Sequence, residues 1–288
     1  MDHLGRETLW AAAESTAWAE IDKAVQAEVA RIRVAEMVFP TVQMANAANV
    51  PLDQFNPQTM TIDEGQTRPF VEISLAFAMA KSQVDNEATL RIGRTLSLLA
   101  AKTVAQCEDE VFFQGTQAPS FINNPFPGFL TFTNINSTGN GLLGLVNAAQ
   151  VIDVNRPRAA AGYGSATFDA VAQGIAQLIS VGQPGPFALF LHTAVYADTF
   201  QTVAANQTTT AERIVPLVTN GFHGTGSLPA ATGLLLSLGG EPTTIYLAQD
   251  AVTAFTQEDP GGAYRFRVFE RVQIVNRDPR ALVRLNFQ

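Results

Sequence analysis

Charged side chains are scarce in this 288-residue sequence. They make up 15% of the residues, against roughly a quarter in an ordinary soluble domain. Hydrophobic residues make up 47% and aromatic residues 9%, which excludes a disordered chain and is enough for a sizeable core. A free monomer needs surface charge to stay soluble, whereas a subunit covered by its neighbours does not. The composition therefore predicts a subunit of a large assembly.

Lysine and cysteine are almost absent. The only lysines are Lys23, Lys81 and Lys102, the only cysteine is Cys107, and the net charge is −8. A sequence-reading nucleic-acid module carries a basic stripe, and this chain has none. One cysteine excludes an intrachain disulfide and a cysteine-rich metal site.

Long apolar runs are also missing. The uncharged run around residues 234–236 is short and bounded by glycine and proline, whereas a bilayer-spanning helix needs about 20 apolar residues. The residues after Met1 lack a basic region followed by an apolar one, so we expect no secretory signal. These features predict a soluble protein of cytoplasmic origin that does not contact a membrane.

Motifs for catalysis lack their structural context. Residues 139–144 match G-x-G-x-x-G, but they lie in a Gly/Asn-rich loop, and Asp153 follows too soon to bind a ribose. His192 and His223 have neither metal-ligand spacing nor a carboxylate partner in sequence, and G-x-S-x-G does not occur. We therefore predict no catalytic residue, cofactor or metal, which favours a structural role.

Two long helices are predicted from apolar spacing. Residues 16–39 form an amphipathic helix that Ser15 or Thr16 caps and Pro40 ends. Residues 85–114 form the longest helix, about 45 Å long, with Cys107 packed in its apolar stripe. The stripe comprises Ile92, Leu96, Leu99, Val104, Cys107 and Val111. Shorter helices are predicted at residues 167–182 and 194–203.

Strands alternate with these helices. Period-two alternation on both sides of Glu64 and Gly65 predicts a long hairpin with its turn there. Further strands are predicted at residues 128–133, 187–191, 234–238, 245–248, 264–275 and 281–286. The turn at residues 258–262 leads into the last two, which we expect to pair. No βαβ repeat is present, so the fold class is α+β.

An acidic cluster lies near the end of the long helix. Glu108, Asp109 and Glu110 occupy the end of the helix dipole that disfavours negative charge. Arg265, Arg267 and Arg271 lie mostly on one face of the strand at 264–275. We expect salt bridges between the two groups, within or between subunits.

The order of these elements resembles the shell proteins with the Hong Kong 97 (HK97) phage capsid fold, and within them the encapsulin branch. The resemblance rests on residues 18–22 (WAEID), 108–115 (EDEVFFQG), 185–189 (GPFAL) and 278–281 (DPRA). It implies an N-terminal helix and arm (1–48), an extended hairpin that reaches over an adjacent subunit (49–80), a peripheral domain (81–166 and 249–288) and an axial domain (167–248).

The resemblance also implies where subunits meet. We expect assembly contacts from a set of hairpin and strand residues: Glu64, Gly65, Arg68, Glu72, Arg265, Arg267 and Arg271. We expect a pore rim on the symmetry axis at Asn206, Gln207 and Thr208. The loop after Gly128 is longer than the family's, by an insertion centred on residues 136–166.

A phage role is the preferred interpretation from the sequence. Residues 36–42 stand where encapsulins have a basic stretch and a Gly-Pro-x-Gly turn. We expect a major capsid protein that forms pentamers and hexamers of an icosahedral head and encloses DNA by non-specific contact. It would assemble in the host bacterial cytoplasm, end in the virion and meet portal, scaffolding or decoration proteins. Chemical cross-linking of the hairpin looks excluded, because no lysine lies between Lys23 and Lys81. The alternative is a cytoplasmic encapsulin compartment that holds a cargo enzyme.

Overall fold

The computed structural model describes residues 4–10, 16–56, 59–63, 65–157, 162–201 and 208–288. The helices, in chain order, are α1 (Ala17–Ile32), α2 (Lys81–Asp85), α3 (Glu87–Leu90), α4 (Ile92–Gln114), α5 (Pro119–Ile122), α6 (Gly141–Leu145), α7 (Ser165–Ser180), α8 (Thr193–Asp198) and α9 (Thr210–Ile214). The strands are β1 (Thr41–Gln43), β2 (Asn49–Pro51), β3 (Gln54–Asn56), β4 (Thr61–Asp63), β5 (Thr67–Pro69), β6 (Val71–Ala80), β7 (Leu130–Thr133), β8 (Val151–Val154), β9 (Phe187–His192), β10 (Phe222–Thr225), β11 (Thr232–Ser237), β12 (Thr243–Glu258), β13 (Ala263–Asn276) and β14 (Leu282–Phe287).

The first sheet has the order β1-β12-β13-β6-β7 and carries α1 and α4 packed against it. Apart from the parallel β1–β12 pair, its strands are antiparallel. Apolar side chains of α1, α4 and the strands form one core, which includes Val25, Val104, Val268 and Val272. This agrees with the predicted amphipathic first helix, because a single apolar stripe must dock on a partner surface.

Both long helices are shorter than predicted. α1 ends at Ile32, because the backbone N–H groups of Val34 and Ala35 donate to the Asp109 carboxylate and leave the helix. α4 begins at Ile92, because Arg91 adopts a left-handed conformation with φ 53° that interrupts the helix from Asp85. The 23 residues of α4 span about 35 Å. Leu99, expected in the apolar stripe, is 59% exposed.

The second sheet has the order β10-β9-β11-β14-β8 and is covered on both faces. Along β9, Ala188 and Phe190 belong to the core around α4, while Leu189 and Leu191 belong to a second core with α7. Alternate residues of a strand point to opposite faces, so a strand between two helical layers is apolar throughout. This explains the continuous apolar runs at 187–191 and 234–236 without a membrane.

The expected C-terminal strand pair does not form. The turn at 258–262 joins β12 to β13, and β13 lies between β12 and β6. Both edges of β13 are therefore occupied, and β14 instead pairs with β11 and β8 in the second sheet. Residues 151–154 and 282–287, which we assigned to the peripheral domain, thus lie in the sheet that also contains β9, β10 and β11.

The G-x-G-x-x-G segment packs against the end of α4. Gly115 ends α4 with φ +58°, and a Cβ there would lie 2.2 Å from the carbonyl oxygen of Gly139. A Cβ at Gly141 would lie 2.6 Å from the backbone of Phe113. The segment enters a five-residue helix and follows no strand directly, so these glycines permit close backbone packing.

Candidate assembly site

The hairpin turns at a different place from the one predicted. Asn56 pairs with Thr61 between β3 and β4, and Pro51 pairs with Thr67 between β2 and β5. The chain therefore reverses between Asn56 and Thr61, and the predicted turn position falls between β4 and β5. The alternation pattern located the hairpin in the sequence. It did not fix the position of the turn, because alternation with a period of two is compatible with a turn at any of several neighbouring positions.

One end of the hairpin is anchored and the other is exposed. Val50 and Phe70 are buried with Tyr246 and Val275 on the first sheet. At the opposite end, Met60 is 78% exposed and Ile62 is 54% exposed. An isolated two-stranded hairpin is marginal in water, and exposed apolar side chains such as these are a feature of contact surfaces in general.

The predicted assembly residues of the hairpin differ in their surroundings. Glu64 lies outside the described residues, Gly65 is exposed with φ +118°, and Arg68 is half-buried opposite Val50. Glu72 lies on β6, where its Oε1 accepts a hydrogen bond of 2.7 Å from Arg267 Nη1. A role for these residues between subunits stays a prediction.

The predicted arginines of β13 contact groups of the same subunit. Arg265 Nε donates to Asp259 Oδ2 at 2.6 Å, across the β12–β13 turn. Arg271 Nη2 donates to the carbonyl oxygen of Ala47 at 3.3 Å and so holds the arm before β2. The expected salt bridges from Glu108, Asp109 and Glu110 to these arginines are absent from the ion pairs of the described residues.

Glu108 instead forms an ion pair with Arg33. The Arg33 guanidinium is buried where α1 ends, with Nε against Glu108 Oε2 and Nη2 donating to Glu270 Oε2. Its Nη1 donates to Asp250 Oδ1 at 2.9 Å and to Glu36 Oε1 at 3.2 Å. We call these five residues the Arg33 cluster. It joins α1, α4, β12 and β13 through one cation and four carboxylates.

Local geometry places the carboxylates of the Arg33 cluster. Glu270 lies on the core-facing row of β13, between Val268 and Val272. A shift in the β12–β13 register sets Asp250 and Ala251 opposite the single residue Glu270, and this bulge directs Asp250 toward Arg33. The sequence analysis did not predict the Arg33 cluster. The one local signal is Glu270, a charged residue at an inward-facing position of a strand with alternating burial.

Burial, together with the neighbouring carboxylates, raises the pKa values of the acidic groups in this region. Burial raises the pKa of Asp109 to about 7, although the N–H groups of Val34 and Ala35 oppose the change. Burial, reinforced by the neighbouring Glu270, raises the pKa of Glu108 well above its usual value. Burial also raises the pKa of Glu270 and of Glu36. Asp109 therefore titrates near neutral pH, and the other three carboxyls hold their protons to a higher pH than usual.

The expected pore rim and the two internal histidines are the remaining positions singled out in the sequence; His192 lies on β9 and His223 on β10. Asn206 and Gln207 of the expected pore rim lie outside the described residues, and Thr208 is exposed just before α9. His192 Nδ1 accepts a long hydrogen bond of 3.4 Å from the Ala194 N–H. The ring of His223 stacks on Phe190, and burial lowers its pKa. Both histidines thus have local packing partners.

Metal and membrane features were sought in the described part of the chain. There, His, Cys, Asp and Glu side chains nowhere group in a way that could hold a metal ion. Within the same residues, none of the helices is long and apolar enough to cross a membrane.

One protein-family model matches half of the chain. The Linocin_M18 family, described as "Encapsulating protein for peroxidase", matches residues 130–273, from the start of β7 into β13. The chain belongs to this family. A search of curated protein sequences finds no match.

Solved structures with the same fold include a virus-like particle, an encapsulin complex and a phage capsid. The virus-like particle from Pyrococcus furiosus has a TM-score of 0.67 and 11% identity, covering 93% of this chain and 99% of that one. The holo-SrpI encapsulin complex from Synechococcus elongatus PCC 7942 has a TM-score of 0.56 and 12% identity, covering 86% and 84%. The mature capsid of bacteriophage PhiM1 has a TM-score of 0.53 and 13% identity, covering 89% and 87%.

These likenesses confirm the expected fold class; the predicted division into domains stays a prediction. The Linocin_M18 chain has the α+β fold of Hong Kong 97-type capsids and encapsulins. The family and the structural neighbours are shell proteins and not enzymes. A structural role in a self-assembling shell follows for this chain.

Proposed function

We propose that copies of this chain assemble into a closed shell that encloses a protein cargo of the peroxidase class. The observation that supports the cargo is the family match over residues 130–273. The sequence alone favoured a phage head, and the family match moves the preference to an enzyme compartment.

Charge is consistent with a protein cargo. The chain carries a net charge of −8 and three lysines, whereas duplex DNA carries one negative charge per about 1.7 Å of its axis. Cations would have to offset the repulsion between a wall of such subunits and packed DNA. A folded cargo protein imposes no comparable requirement.

Surface features support assembly from identical subunits. The hairpin exposes Met60 and Ile62, while Glu72, Arg265 and Arg267 are paired inside the subunit. Contacts between copies would then depend on apolar and uncharged polar surfaces, which self-associate without like-charge repulsion.

A phage head that encloses DNA is the second candidate, because the fold is also similar to the mature capsid of bacteriophage PhiM1. Particles purified from cells that naturally make the protein, and particles made from the chain alone, would be imaged by electron microscopy. Their contents would be analysed for haem absorbance, peroxidase activity and nuclease-protected DNA.

The outcomes separate the proposals. Megadalton particles that contain a haem peroxidase support the compartment. Particles that contain nuclease-protected DNA of genome length overturn it in favour of the phage head. A single 30.9 kDa species in light scattering under all conditions overturns the shell itself.

A further inference from the structure

One loop at the edge of the first sheet presents large apolar side chains to the surface. Phe121, Ile122, Phe126 and Phe129, which we call the aromatic patch, are between 37% and 56% exposed. They lie within nine residues of sequence, directly before β7. Single exposed apolar residues are normal, but four in one short segment mark a contact surface.

The loop that carries the aromatic patch is held by its own hydrogen bonds. The Ser120 N–H donates to Glu110 Oε2 at 2.9 Å, which fixes the start of α5 to the end of α4. The Asn124 side chain accepts from the Phe126 N–H at 2.9 Å and donates to the Leu130 carbonyl at 2.8 Å. A surface ordered before binding loses less conformational entropy when a partner docks.

The segment that carries the aromatic patch has no charged residue of its own. No charged residue occurs between Glu110 and Asp153, a span that includes the patch and the edge strand β7. Soluble proteins protect exposed edge strands with charged side chains, and β7 (Leu130–Thr133) has none. The strand and the patch therefore have the properties of a surface that another protein covers.

We propose that the aromatic patch, together with the β7 edge, is a contact surface for a second copy of this chain; this rests on the proposed shell. Two copies that each carry a net charge of −8 repel on average, so a surface segment without charged residues lets identical subunits approach at low electrostatic cost. Every subunit of a shell carries the patch, so the same contact repeats around the symmetry axes.

The single buried cysteine makes the proposal testable by site-specific labelling. Cys107 is fully buried, and burial raises the pKa of its thiol to about 12, so its thiolate is scarce at pH 8. A cysteine introduced by Ile122→Cys or by Phe126→Cys is then the reactive thiol. Each variant would be labelled with a bulky water-soluble maleimide in assembled particles and in the same particles after dissociation. Attachment of a benzophenone photo-cross-linker at that thiol identifies the neighbour by mass spectrometry.

We expect labelling at least tenfold slower in particles than in dissociated subunits, with cross-links to peptides of this chain. Circular dichroism of the dissociated variants checks that they remain folded, and Phe126→Tyr, which keeps an aromatic ring, should assemble as the unmodified chain does. Labelling at equal rates in both states, or cross-links only to another protein, overturns the self-contact while leaving the shell intact. Wild-type chain that forms no particles refutes the shell, and with it this contact.

Discussion

Arg33 Nη2 donates a hydrogen bond to Glu270 Oε2 inside the subunit, between residues 237 positions apart in sequence. The contact joins the end of α1 to the centre of the first sheet, and Glu108 adds α4 to the same point. Buried charges are costly unless they are paired. The Arg33 cluster therefore stabilises one arrangement of α1, α4 and β13 and penalises others.

Loss of the central cation should destabilise the subunit strongly. Arg33→Met leaves Glu108 and Glu270 buried without their counter-charge, and breaking a buried pair on one side costs about 3–5 kcal/mol. The control is Arg31→Met, which removes an exposed pair with Glu28 and should cost less than about 1 kcal/mol. Urea unfolding of dissociated subunits measures both; equal free energies of unfolding would contradict the assigned role of Arg33.

Subunit stability should fall as pH rises through neutrality. A carboxyl whose folded pKa is raised contributes stability that is complete below its unfolded pKa and is lost as pH rises through the folded pKa. For Asp109 the rise from 3.8 to about 7 corresponds to on the order of 4 kcal/mol, lost between about pH 4 and pH 8. The pKa values of Glu36, Glu108 and Glu270, which surround the Arg33 guanidinium, are also raised. Their contributions to stability therefore fall with rising pH as well.

Asp109→Asn tests the contribution of that carboxyl to the pH dependence. The free energy of unfolding would be measured from pH 5 to pH 8.5 for the unmodified chain, for Asp109→Asn and for Asp169→Asn, which changes an exposed residue of α7. Between pH 5 and pH 8.5 we expect Asp109→Asn to lose less free energy of unfolding than the unmodified chain. We expect Asp169→Asn to lose as much as the unmodified chain. A loss of the same size in all three would show that Asp109 does not titrate in this range.

Close backbone packing at the end of α4 should make Gly115 intolerant of a side chain. Gly115 and Gly139 have the same φ of +58°, but a Cβ at Gly115 would lie 2.2 Å from backbone, whereas one at Gly139 meets nothing within 4 Å. Gly139→Ala should cost about 1–3 kcal/mol of backbone strain, because φ +58° with ψ −131° is a conformation that L residues rarely adopt. Gly115→Ala should cost at least about 2 kcal/mol more, because the clash adds an overpacking cost. Thermal unfolding compares the two; similar melting temperatures would contradict the packing explanation.

The exposed end of the hairpin should affect assembly more than folding. Met60→Ser with Ile62→Ser removes apolar surface that contacts little of the subunit itself, so the circular dichroism of the subunit should be unchanged and the yield of particles should fall several-fold. Deletion of residues 64–66 should act in the same direction, although it also removes the Gln66 carbonyl that accepts from the Leu52 N–H. Normal particle yield from both variants would remove the hairpin from assembly.

Several elements were predictable because their signals are local. The helix that ends before Gly115 and the strands predicted at 128–133, 187–191 and 234–238 follow from periodicity and from glycine and proline placement over windows of about ten residues. The structure has these strands at 130–133, 187–192 and 232–237. The burial of Cys107 followed from its place in the apolar stripe of α4. The order of elements was also sufficient for the resemblance to shell proteins.

Other features depend on which strand edges are free and on contacts between distant residues. The sequence showed Glu108 as part of an acidic cluster, but its partner Arg33 lies 75 residues earlier. Nothing in the local pattern excluded Arg265, Arg267 or Arg271 as partners of Glu108. Likewise β14 has ordinary strand periodicity, and it joins the second sheet because β12 and β6 already occupy both sides of β13.

The sequence by itself determined the α+β class, the low surface charge and the order of elements, because each depends on composition or on near neighbours. Only the tertiary structure decided the pairing of Asn56 with Thr61 in the hairpin, the Arg33 cluster and the exposure of the aromatic patch. Those depend on register, sheet order and burial, which arise when segments far apart in the chain compete for the same edges and the same interior.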